Sequence, residues 1–230
     1  MDTTTALALL PEYRTIADVR QGIQLLQLLM RGDGDHAPVL QPGIHYGKLT
    51  DRDDEKPSLW KPGAEKICVL FRINPEIASV EDLARDQDQE RGIHEERRYR
   101  VKMRAIHQPT GVVLAEGIGE ASSNEEKYAW KRTYSNAEWE ATPEWKRRLK
   151  FYPDNEDGVR QIRMNVADVA NTVLKIAAKR AFIDMVLKAT AASDFFTQDL
   201  EDEDLAALIG ETRGGAAVGG GAARTVRQPA

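Results

Sequence analysis

The chain has 230 residues, a formal charge of -5, a pI near 5.5 and one cysteine, Cys68. That length buries one full hydrophobic core with appendages, or at most two small ones, and the acidic balance excludes a protein that coats nucleic acid through bulk positive charge. A lone cysteine in the apolar run ICVLF excludes a disulfide framework and a cysteine-based zinc site, and reads as a buried small hydrophobe.

The start, MDTTTALALLPEY, has no basic leader, and no stretch is long enough to span a bilayer, so a cytoplasmic protein without membrane association is expected. Residues 1–14 read as a flexible N-terminus, 15–204 as a single domain and 205–230 as a mostly disordered Gly/Ala-rich tail. The first predicted element is a helix over Thr15 to Met30, with Thr15 as N-cap and Asp18 in the first turn. Ile16, Val19, Ile23, Leu26 and Met30 form its apolar seam, thickened by Leu25 and Leu29. The seam fits either packing onto the domain or a subunit contact. From Arg31 to Lys61 the chain is rich in Gly, Pro and Asp and predicts mostly loop. Ser58 to Lys61 fits a short strand, and Pro62 suits the first turn of a helix through PGAEKICVLFRI, buried through Ala64, Ile67, Cys68, Leu70 and Phe71.

Glu76 to Glu96 is strongly charged and predicts a solvated loop or short helix. A hairpin comes next. Tyr99, Val101, Met103 and Ala105 alternate with Arg98, Arg100, Lys102 and Arg104, giving one apolar and one basic face. Gln108 to Gly111 supplies the turn, and Val112 to Gly119 the returning strand. Ser122 to Tyr152 then interleaves aromatics with cations: Lys127, Tyr128, Trp130, Lys131, Arg132 and Tyr134, then Trp139, Trp145, Arg147, Arg148, Lys150 and Tyr152. Cations neutralise phosphates and aromatic faces stack on unpaired bases. Aromatics also serve cores and partner surfaces, so both readings stand.

A long helix is predicted from the N-cap Asn165, with Val166, Val169, Ala170, Val173, Ala177 and Ala181 on one side and Asp168, Thr172, Lys175 and Lys179 on the other. Lys175 and Lys179, one turn apart, fit neighbouring phosphates or a plain solvated face. Arg180 and Asp184 turn toward the apolar side, four apart, and predict an intrahelical ion pair. Thr190, Ser193 and Asp194 end the helix, Phe195 and Phe196 fasten the turn to the core, and Asp199, Glu201, Asp202, Glu203 and Asp204 form an acidic cluster. The four histidines, His36, His45, His94 and His107, stand apart, so no metal, cofactor or catalytic residue is assigned. The fold class is α+β: a small antiparallel sheet with the long helix packed across one face, plus the N-terminal amphipathic helix.

The ordered segments KPGAEK, HQPTG, EGIGEASSNEEKY, NTVLKIAAKRA and TAASDFFTQDLED resemble a set of proteins found in phages, prophages and related mobile elements. More distantly, Arg97 to Asp202 resembles the essential recombination function group of single-strand annealing proteins, in the Rad-type superfamily. Where that group carries an aromatic-rich motif this chain has Lys175 to Ala181, which keeps the cations and lacks the aromatics. The resemblance implies a protein that binds single-stranded DNA as an oligomeric ring or filament and anneals complementary strands without ATP. Its further partners would be host or phage recombination proteins. Arg98, Arg100, Lys102 and Arg104 with Lys175 and Lys179 would then hold the phosphates in a groove, joined by Lys127, Trp130, Lys131 and Arg132. Two other functions fit the residues. One is a phage accessory or scaffold protein acting through its Leu-rich helix and acidic segment; the other is a metal-dependent nuclease using Asp194, Asp199, Glu201 or Asp202.

Overall fold

The structure is a computed structural model that describes residues 15–48, 56–86, 95–152 and 155–198, with the backbone alone for 155 and 156. Residues 1–14, the acidic cluster from Asp199 to Asp204 and the Gly/Ala-rich tail therefore lie outside the described residues.

Helix α1 spans Ile16–Arg31. It begins as predicted: Thr15 Oγ1 accepts from the Asp18 N–H at 3.2 Å and Asp18 Oδ2 accepts from the Thr15 N–H at 2.8 Å, a reciprocal capping box. Its seam is only partly covered. Leu26 is fully buried, whereas Ile16 and Val19, at the N-terminal end, are exposed. A short ribbon of β1 (Tyr46–Gly47) and β2 (Ser58–Leu59) leads into α2, Lys61–Leu70, which has Pro62 in its first turn and buries Gly63, Ala64, Ile67 and Cys68. Burial pushes the Cys68 thiol up to about 12, which leaves it protonated and inert near neutral pH.

The helix expected to run on to Ile73 stops at Leu70, because Arg72 takes a left-handed φ of 51° and redirects the chain. The next element is a strand, β3 (Ile73–Asp82), over part of the stretch expected as loop or short helix. β3 hides its period for physical reasons. It is an edge strand with one buried residue, Ile73, it contains Pro75, and a register shift between Ile77 and Ser79 breaks the alternation. It pairs with β4 (Arg98–His107), which pairs with β5 (Val113–Ser122), giving an antiparallel first sheet in the order β3-β4-β5. The predicted hairpin is present, turned at Thr110 and Gly111.

Past the short helix α3 (Glu126–Ala129), a second antiparallel sheet is built from β6 (Trp130–Arg132), β7 (Arg147–Tyr152) and β8 (Asn155–Arg163), with β8 in the middle. The helix α4, Asn136–Ala141, is carried on the β6–β7 connection and is capped by Ser135. Then comes α5, Val166–Thr190, with Asn165 accepting the Ala167 N–H at 3.0 Å as the expected N-cap. Val169, Val173, Ala177 and Ala181 are buried against the first sheet, alongside Val101, Met103, Ala105 and Ala121. From Ala181 to Thr190 the helix is buried nearly all round, with α2 against it as well.

The long helix sits unusually close to β5. A Cβ placed on Gly117 would stand 2.3 Å from the Met185 nitrogen, and one on Gly119 would stand 2.3 Å from the Ala177 oxygen. The two glycines, with Ala177 and Ala181 opposite them, let backbone meet backbone. The chain then turns at Ala191, in the left-handed region at φ 55°, and buries Phe196 against Tyr46, ring centroids 5.4 Å apart. The protein is thus α+β, with the small antiparallel sheet, the long helix across one face and the N-terminal amphipathic helix.

Candidate nucleic-acid interface

The cations of the hairpin lie on the face of the first sheet that points away from α5, because their neighbours Val101, Met103 and Ala105 point into the core. They do not stand free. Each strand neighbour supplies glutamates in register: Arg104 lies between Glu76 and Glu116, and Arg100 between Glu81 and Glu120. Arg104 Nε is 2.8 Å from Glu116, Lys102 Nζ 3.2 Å from Glu116, Arg100 Nη2 2.9 Å from Glu120 and Arg98 Nη2 2.9 Å from Glu96. Hydrogen bonds from Arg104 and Lys102 hold the Glu116 carboxyl below its ordinary value, and the bond to Glu116 raises Arg104 in turn. The face read as four cations is a ladder of opposite-charge pairs.

Lys175 and Lys179 sit on α5, on the other side of the sheet from that ladder. Lys175 is exposed and Lys179 half-buried. The sheet itself separates them from Arg98, Arg100, Lys102 and Arg104, so the expected shared groove does not form. Arg180 also departs from expectation. Its guanidinium reaches off the helix to Glu125, at 2.8 and 2.9 Å, and to the Glu120 carbonyl at 2.5 Å. Asp184 instead accepts from Lys188 at 2.6 Å and from the Ile118 N–H at 2.9 Å. Both side chains thereby tie α5 to the open edge of β5. The four-residue spacing is satisfied by Asp184 with Lys188, while Arg180 takes a partner distant in sequence.

The second sheet differs in charge. Trp130 and Arg132 on β6, Gln161 and Arg163 on β8, and Arg148, Lys150 and Tyr152 on β7 share one face by register. Arg148 lies 4.3 Å and Arg163 5.5 Å from the Trp130 ring centroid; Lys150 lies 4.9 Å and Arg132 5.6 Å from that of Tyr152. These are cation–π distances. The buried Gln161 accepts from Arg148 Nε at 2.8 Å and fixes that side chain, and Asn124 accepts from Arg163. Arg132 stands beside the Tyr152 ring, and its nearby charge lowers the Tyr152 hydroxyl from its ordinary value. Among the described residues, Glu126 is the carboxylate that pairs with these cations, contacting Arg148 and Lys150. Hydrogen bonds from Lys150 and Arg148 hold it below its ordinary value. Arg132 and Arg163 have no carboxylate partner among the described residues, so the face keeps positive charge where the hairpin face does not.

The neighbouring positions point to the opposite face. Lys131 pairs with Glu138 of α4 at 2.8 Å, and Arg147 and Arg160 flank the Trp139 ring at 5.3 and 5.5 Å. Lys127 sits in α3, 4.9 Å from the ring of Tyr128. Of the residues expected to bind DNA here, Trp130 and Arg132 therefore share a face, and Lys131 lies across the sheet from them. Arg148 and Lys150, named in the aromatic–cationic segment but not among the residues assigned to DNA, join that face, as does Arg163, which the sequence did not single out. The signal for two of them was the alternation of Arg148, Lys150 and Tyr152 at every second residue of RRLKFY.

No group of three or more His, Cys, Asp or Glu side chains placed to hold a metal occurs among the described residues. No helix among them is long and apolar enough to cross a membrane. No family model, curated protein or solved structure matches the chain.

Proposed function

We propose that the protein binds single-stranded DNA and promotes ATP-independent annealing of complementary strands in phage-type homologous recombination, working in the cytoplasm as a homo-oligomeric ring or filament. The observation that carries this reading is the face of the second sheet on which Arg132, Arg148, Lys150 and Arg163 alternate with and stack on Trp130 and Tyr152. Phosphates need cations, unpaired bases have π-faces, and neither contact depends on sequence. Annealing needs no bond to be made or broken. It needs the repulsion between two phosphate chains to be lowered while their base edges stay open, which a cationic sheet supplies. The distant resemblance of Arg97 to Asp202 to single-strand annealing proteins supports the same reading.

A titration of oligo-dT by fluorescence anisotropy over a salt series tests it. Replacing Arg132 and Arg163 together by Ala is expected to weaken binding about tenfold or more and to reduce the salt slope by ~0.7 per cation. Replacing Arg100 and Lys102 together is expected to change affinity less than about twofold, since their charge is already met by glutamates. A wild-type protein with no affinity for oligo-dT would end the reading. A second reading, an accessory protein acting through protein contacts, draws on α1, where Ile16, Val19 and Leu28 are exposed. Nuclease-resistant capture of one protein partner by a protein that fails to bind DNA would favour it.

A further inference from the structure

Glu126 Oε1 lies 2.6 Å from Arg148 Nη2 and 2.9 Å from Lys150 Nζ. One anionic oxygen is thus shared by a guanidinium and an ammonium that stand two residues apart on one strand. Arg148 stands over the Trp130 ring and Lys150 over the Tyr152 ring. A phosphodiester oxygen offers the same single negative charge and the same acceptor geometry. The Glu126 side chain remains 57% exposed although it holds both cations, so it sits at the mouth of the fork. Arg148 is held from behind by Gln161, a bond that does not depend on the carboxylate. Exposed pairs of this kind add little to folding stability, so displacing one side chain by another anion meets little resistance.

We propose that Arg148 and Lys150 form a phosphodiester seat for a DNA strand, which Glu126 fills when the strand is absent and yields when it binds. The proposal rests on the single-strand reading above and names the place and the competitor. Arg132, beside Tyr152, and Arg163, beside Trp130, flank the seat and take the neighbouring phosphates. Exchange of one carboxylate for one phosphodiester leaves the charge of the fork unchanged. The internal anion therefore lowers both the affinity and its salt dependence, and a strand held this way can be released to its complement.

The test is Glu126→Gln in the full chain, titrated with oligo-dT across a salt series beside wild type and Glu140→Gln. Glu140 pairs with Arg147 at 3.7 Å, is 75% exposed and reaches a cation of the opposite face, so its replacement alters net charge equally without touching the seat. Glu126→Gln is expected to tighten binding about three- to tenfold and to steepen the salt dependence by ~0.7, while Glu140→Gln changes affinity less than about twofold. Both variants should melt with wild type, because both side chains are exposed. Unchanged or weaker binding by Glu126→Gln, with wild type still binding, overturns the seat and leaves the single-strand reading standing. Equal tightening by both variants also overturns it, since that is the response of net charge alone. Absence of binding by wild type overturns both.

Discussion

Gly119→Ala should lose at least about 3 kcal/mol of folding stability, and Gly119→Val should fail to reach the native state. The added Cβ would meet the Ala177 oxygen at 2.3 Å, the Ala181 nitrogen at 2.3 Å and the Arg180 Cβ at 2.7 Å. Two of these are backbone atoms of α5, which no rotamer change can move aside. The helix would have to lift from β5 along its length, opening the layer that buries Val173, Ala177 and Ala181. Ile118, between the two glycines, is 51% exposed, and Ile118→Val should change stability by less than about 0.5 kcal/mol. Urea melts of the three variants decide it. A Gly119→Ala protein with the wild-type midpoint would contradict the helix–strand contact.

Arg180→Ala should cost about 2 kcal/mol, below the ~3–5 kcal/mol of a fully buried pair because the two side chains keep 31% and 28% of their exposure. The substitution removes the donor to the Glu120 carbonyl and strands the Glu125 carboxylate, whose other acceptor bond is to the Ser122 N–H. Burial pushes Glu125 up, but the bonds from Arg180 and Ser122 outweigh it and hold the carboxyl below its ordinary 4.5. A depressed folded value means the unfolded chain takes up the proton first. The stability is therefore complete above 4.5 and is lost as pH falls through the folded value. The gap between wild type and Arg180→Ala should accordingly be largest near neutrality and narrow as pH falls below 4.5. A gap that stayed constant on acidification would assign the effect of Arg180 to packing alone.

The same residues show what the sequence could and could not carry. The caps at Thr15 and Asn165, the alternation of Tyr99 to Ala105 and the Val/Ala stripe of α5 are local signals, and each marked its element. β3 has one buried side chain, a proline and a broken register, so its identity as a strand comes from pairing with β4 rather than from its own pattern. Arg180 could be read as needing a partner, but spacing on one helix could not choose between Asp184 and a glutamate 55 residues away. The basic stripe of β4 was legible as a face. Its neutralisation was not, because Glu76, Glu81, Glu116 and Glu120 come into register from two other strands. The close seating of α5 was written in the alternating Gly117 and Gly119 of EGIGEAS, a pattern with meaning only once a helix is known to cross there. In the second sheet, Arg148 and Lys150 of RRLKFY gained a common face with Arg132 and Arg163 only through the order β6-β8-β7.

The most direct measurement is the rate at which two complementary oligonucleotides pair with and without the protein, in the absence of nucleotide, run beside the size of the complex. The proposed function predicts acceleration of about tenfold or more, suppressed by salt, lost when Arg132 and Arg163 are replaced together, and accompanied by a complex larger than one chain. Pairing at the spontaneous rate, with the folded protein present in excess over the strands, would contradict it.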